Sequence, residues 1–142
     1  MTDLDWITCG GDNHWCALDR VALDNLNVVG VYLIWHEGIP SRVIKVGRGN
    51  ISERLTELKG DPEILSYRRK GALRVTWAAA PPPLLEGIVR FLMEKWRPPV
   101  LTLYAEAEPV DVNSPWANAS GPDVRMRTPL EPRMPGARSA RL

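Results

Sequence analysis

The chain has 142 residues, 44% hydrophobic and 25% charged, with a formal net charge of +1. That length suits one domain with a real core, and the composition is that of an ordinary globular protein rather than a disordered or fibrous one. A balance so near neutrality neither demands nor excludes a nucleic-acid partner, so any electrostatic argument must rest on a local cluster.

Residues 1–27 read as an extension that packs on the core through Trp6, Trp15, Leu18, Val21, Leu23 and Leu26. The opening Met1-Thr2-Asp3-Leu4-Asp5 is acidic and no apolar run follows, which is not the pattern of a signal peptide. The greasiest span, Val75 to Leu85, is too short to cross a bilayer and is broken by Pro81-Pro82-Pro83. The expectation is a soluble, cytoplasmic protein with no membrane partner. Cys9, His14 and Cys16 make half a zinc site at most, because structural zinc needs four ligands and no further cysteine exists. Two cysteines are also too few for a disulfide framework, so the reading is buried thiols.

Val29 to Trp35 is β-branched and aromatic and predicts a first strand. Gly38 marks a turn and Val43-Ile44-Lys45-Val46 the returning strand. A two-residue Gly38-Ile39 loop places Tyr32 directly opposite Lys45, with both side chains on one face of the sheet. Asn50 and Glu53 sit at the cap and third positions of a helix whose Ile51, Leu55 and Leu58 face inward, with Arg54 at the edge of that face. Gly60-Asp61-Pro62 ends it, and a polar connection through Arg68-Arg69-Lys70 leads to a third strand, Leu73 to Ala79. Pro83 opens a second helix with an apolar stripe of Leu84, Leu85, Ile88, Val89, Leu92 and Trp96. A short run, Pro109 to Asn113, returns toward the sheet edge. The rest, 114–142, is rich in proline and arginine and reads as an extended tail.

The order strand, strand, helix, strand, helix, with Gly30-Val31-Tyr32 on the first strand, resembles the GIY-YIG nuclease superfamily over roughly residues 29 to 113. Lys45-Val46-Gly47 occupies the second signature triplet, with lysine in place of tyrosine, and Arg54 matches the first-helix arginine. Glu86 matches the metal-binding glutamate and Asn113 a late asparagine. The resemblance implies a small α+β domain at 28–113, an antiparallel three-stranded sheet flanked by helices. It implies a DNA endonuclease using one divalent cation, magnesium or manganese, held by Glu86. Tyr32, Lys45, Arg54 and Glu86 are then the catalytic set, with Gly47, Arg48, His36 and Asn113 against the substrate.

The chemistry suits those residue types. Glu86 offers oxygen to a hard cation, and Arg54 offers a fork to nonbridging phosphate oxygens. Tyr32 orients or deprotonates the attacking water, with Lys45 favouring phenolate. Simpler roles exist for each. Tyr32 suits any half-buried strand and Lys45 any edge strand. Glu86 fits a helix first turn four residues before Arg90, and His36 serves either a substrate or the hairpin. The alternatives are a nucleic-acid-binding domain without cleavage and a protein-interaction domain.

Overall fold

The structure, a computed structural model, describes residues 2–10 and 14–116. Its elements in chain order are β1 (Cys16–Ala17), β2 (Val29–His36), β3 (Arg42–Asn50), α1 (Ile51–Lys59), α2 (Pro62–Ser66), β4 (Leu73–Ala79) and α3 (Leu85–Trp96). The strands form one antiparallel sheet in the order β1-β4-β2-β3. This corrects the expected three-stranded sheet: the N-terminal segment contributes a fourth, two-residue strand through Cys16 and Ala17, paired with Val75 and Arg74.

Alternation along β2 sorts the core into two layers. Val31, Leu33 and Trp35 face α3, where Ile88, Val89, Leu92 and Trp96 are buried with them. Tyr32 and Ile34 face the other way, toward Ile51, Leu55 and Leu58 of α1 and Ile64 of α2. A fully buried aliphatic side chain contributes about 2 kcal/mol, so both helices are held mainly by their apolar stripes. Trp116 lies in the α3 layer with edge contacts to Trp15, Trp35 and Trp96. The tail assignment overlooked it. Residues 117–142, with the tail arginines Arg125, Arg127, Arg133, Arg138 and Arg141, lie outside the described residues.

The expected hairpin register is wrong. The loop runs from Glu37 to Ser41, and Tyr32 pairs with Gly47 while Ile34 pairs with Lys45. A bulge after Ile34 leaves Ile44 as an extra residue, since Trp35 pairs with Val43. Lys45 therefore stands diagonal to Tyr32 on the same face rather than opposite it.

α1 begins as expected: the Asn50 side chain accepts the Glu53 N–H at 3.1 Å. Where the sequence pattern predicts a polar connection, α2 forms instead: Asp61 caps it by accepting the Glu63 N–H at 2.8 Å, and Pro62 occupies its first turn. The run at Pro109–Asn113 does not join the sheet. Val112 forms an isolated parallel bridge with Thr2 instead. Cys9 and Cys16 form a disulfide, correcting the expectation of free thiols. The Cys9 N–H donates to the His14 carbonyl at 2.9 Å, turning the chain back on itself. Such bonds persist in oxidising compartments. Among the described residues no helix is long and apolar enough to cross a membrane.

His36 closes the hairpin. Its Nδ1 accepts the Gly38 N–H at 3.1 Å, and its ring stacks on Tyr67. Burial, reinforced by Lys70 and Arg42, holds its pKa below the ordinary 6.5. The unfolded chain then binds the extra proton first, so stability present above pH ~6.5 is lost as the pH falls. Urea midpoints measured from pH 7 to 5 should fall more for the parent than for His36→Phe. That variant should cost about 1 kcal/mol at pH 7 for the lost hydrogen bond. Parallel profiles would remove His36 from the acid response.

Candidate functional site

Beside β3 lies an open cleft of about 330 Å3 lined by Tyr32, Lys45, Gly47, Arg48 and Arg54, with Glu57, Leu58, Leu101, Thr102 and Leu103 completing the wall. The strand pairing explains the gathering. Tyr32 and Gly47 are cross-strand partners, and Lys45 lies two residues from Gly47 on the same face. A Cβ on Gly47 would overlap the Tyr32 phenol, so glycine is what lets the ring lie across β3. Gly49 has φ +123°, a conformation that strains other residues, and the Arg54 stem passes beside it. The turn from β3 into α1 thus delivers Arg54 to the cleft.

The polar groups differ in how they are held. Tyr32 is 3% exposed, and burial pushes its pKa up to about 12 against the opposing pull of Arg54, with Glu57 raising it further and Arg48 lowering it. The phenol is therefore neutral at ordinary pH, and Lys45 is not what tunes it. Lys45 itself is shifted below the usual lysine range by burial, opposed by Asp61 and Glu63. Its Nζ donates to the Leu101 carbonyl at 3.2 Å. Arg48 donates through Nη1 to the Leu103 carbonyl at 3.1 Å and through Nε to Glu86 Oε2 at 2.6 Å. Among the described residues Arg54 makes only an exposed ion pair with Glu57, 3.3 Å away.

Glu86 does not line the cleft. It stands behind Arg48, with Oε1 accepting the Ala105 N–H at 2.8 Å. A strap from Val100 to Ala105 thus runs along the open edge of β3, where the Val100 N–H also donates to the Ile44 carbonyl and Thr102 to the Val46 carbonyl. Sequence reasoning missed this strap. Its only signal was an apolar-polar alternation after Pro98-Pro99, too short to stand as a strand.

Two further expected residues also lie outside the cleft. His36 is the hairpin cap described above. Asn113 clamps the N-terminal segment, accepting the Leu4 N–H at 2.6 Å and donating to its carbonyl at 3.0 Å. Its amide is consumed by backbone and does not reach the cleft. Comparison of the chain with protein-family models, with curated proteins and with solved structures finds no match. The cleft must be read from its own chemistry. It presents three cations, one phenol and a single carboxylate, Glu57, to an open concavity, an excess of positive charge complementary to an anion.

The donor set can be tested against a metal. Among the described residues no three His, Cys, Asp or Glu side chains gather as a metal site. Magnesium, however, commonly takes only one or two carboxylates and keeps several waters. Glu86 accepts one hydrogen bond at each carboxylate oxygen, which leaves lone-pair capacity on both. A single-carboxylate site is compatible with that.

Proposed function

We propose that the chain is a divalent-metal-dependent endonuclease of GIY-YIG type that hydrolyses phosphodiester bonds in DNA. One observation carries this reading: Tyr32, Lys45, Gly47 and Arg54, matched to the motif by order alone, converge with Arg48 on a single concave surface. A backbone phosphate entering there meets a bidentate fork from Arg54, whose own partner is an exposed carboxylate of little energetic weight. Lys45 and Arg48 now donate to neutral carbonyls, and exchanging these for charged phosphate oxygens strengthens both bonds. The Tyr32 hydroxyl orients the attacking water. Glu86, behind Arg48 and outside the cleft, would hold the cation once its ion pair with Arg48 opens, and the bound cation would then supply polarisation of the phosphate and stabilisation of the leaving oxygen.

The second reading is a nucleic-acid-binding domain without cleavage. Glu86 favours it, since the carboxylate is already committed to Arg48 at 2.6 Å. A supercoiled plasmid titrated with magnesium or manganese chloride separates the two. Nicking that rises with metal and disappears in Glu86→Ala is the expected result. The pair is partly exposed, about 30% on each side, so its loss should cost no more than about 1 kcal/mol of stability. Salt-sensitive DNA retention with no nicking at any metal concentration would replace the enzyme with the binding module.

A further inference from the structure

On the opposite flank of the sheet, where β1 pairs with β4, a second cavity of about 450 Å3 opens between the end of α1, α2 and the start of β4. It shares no lining residue with the cleft. Four basic side chains line it, Arg20, Lys59, Arg68 and Arg74, against a single acid, Asp19. The guanidinium groups of Arg20 and Arg68 have no hydrogen-bond or ion-pair partner among the described residues. Arg74 lies 3.1 Å from Glu37 through Nε, yet this buried nitrogen makes no hydrogen bond. Lys59 spends one donor on the Val21 carbonyl at 2.7 Å and keeps two. Its floor includes Leu18 and Leu73, both buried.

Unpaired guanidinium groups around a concavity repel one another and gain from an anion that bridges them. Setting Asp19 and Glu37 against the four cations leaves about two positive charges, which matches the charge of a phosphate monoester above its second pKa near ~6. A backbone diester carries one charge per phosphate and no apolar end to meet the leucine floor. The volume is also in the range of small-ligand sites. We infer that this cavity binds a small phosphate monoester with an apolar body, at a site separate from the proposed nuclease cleft.

Phenyl phosphate is a direct probe, titrated into the full chain by calorimetry and by amide chemical shifts. Saturation with a dissociation constant on the order of 1 mM or tighter is expected, with shifts at Arg68, Gly71 and Ala72. Arg20→Ala and Arg68→Ala, both at exposed unpaired positions, should each weaken binding about tenfold. Arg54→Ala, in the cleft, should leave the affinity within about twofold. Methyl phenyl phosphate, the corresponding diester, should bind about tenfold more weakly than the monoester. Absence of saturation by phenyl phosphate at on the order of 50 mM overturns the inference. So does equal affinity for the diester, or loss of binding in Arg54→Ala in place of the Arg68 variant. An oligonucleotide that shifts the cavity amides where phenyl phosphate does not would assign the cavity to nucleic acid instead. None of these outcomes depends on whether the cleft cleaves DNA.

Discussion

Arg54→Ala is expected to reduce metal-dependent plasmid nicking by about 10²- to 10⁴-fold, the range seen when a preorganised donor to transition-state charge is removed. The same change should barely move the unfolding midpoint. The Arg54 side chain is 44% exposed and its ion pair with the still more exposed Glu57 is worth about 0.5 kcal/mol or less. Its aliphatic stem passes Gly49 without filling a core position. A large activity loss at nearly constant stability would assign Arg54 to the reacting phosphate. Arg54→Lys should recover only a small part, because an ammonium replaces a planar fork with a point charge. Nicking within threefold of the parent by the alanine protein would exclude Arg54 from catalysis, and the cleft would lose its strongest candidate for a bidentate phosphate contact.

What could be read from sequence divides by the range of the interactions involved. α1 was legible because its cap, its stripe and its stop lie within one short stretch, Asn50 to Pro62. α2 was missed because Asp61-Pro62 was read only as the end of α1, although the same pair is a strong start for the next helix. The β2–β3 register depends on a five-residue loop and a bulge at Ile44, which alternation alone cannot locate. Trp116 is set by tertiary contacts that local patterns do not encode, whereas the Cys9–Cys16 bond closes a local turn that the cysteine count alone does not reveal.

The cleft follows the same division. Lys45, Gly47, Arg48 and Arg54 fall on one continuous stretch from β3 into α1, so their spacing already implied proximity, and Tyr32 joins them by strand pairing. Glu86 and Asn113 are distant in sequence. Order along the chain put both in the site, whereas packing put Glu86 behind Arg48 and Asn113 against Leu4. The carbonyls that hold Lys45 and Arg48 came from a strap with no recognisable signature.

Tyr32→Phe is expected to lower nicking by about 10²-fold, the loss expected when a preorganised hydrogen-bonding group at the reacting centre is removed. The variant keeps the ring that packs on Gly47, so the core should be little disturbed. The pH dependence decides which form of the phenol works. With a pKa near about 12, the free enzyme holds almost no phenolate at neutral pH, and a phenolate mechanism would speed up tenfold per pH unit from 7 to 9. In the proposed mechanism the phenol stays neutral and aligns the water by hydrogen bonding. The ratio of parent to Tyr32→Phe rates should therefore stay constant across that range. Stability gives an independent control with a definite sign. The folded pKa lies above the unfolded value of ~10, so the stabilisation by Tyr32 is complete below pH ~10 and is lost as the pH climbs toward 12. Two pKa units correspond to about 3 kcal/mol, a loss that Tyr32→Phe should be spared. A rate ratio climbing with pH while this alkaline loss persists would reinstate the phenolate as base. If instead Tyr32→Phe shows the parent's alkaline loss, the phenol is not buried in solution as described, and its place in the cleft must be redrawn.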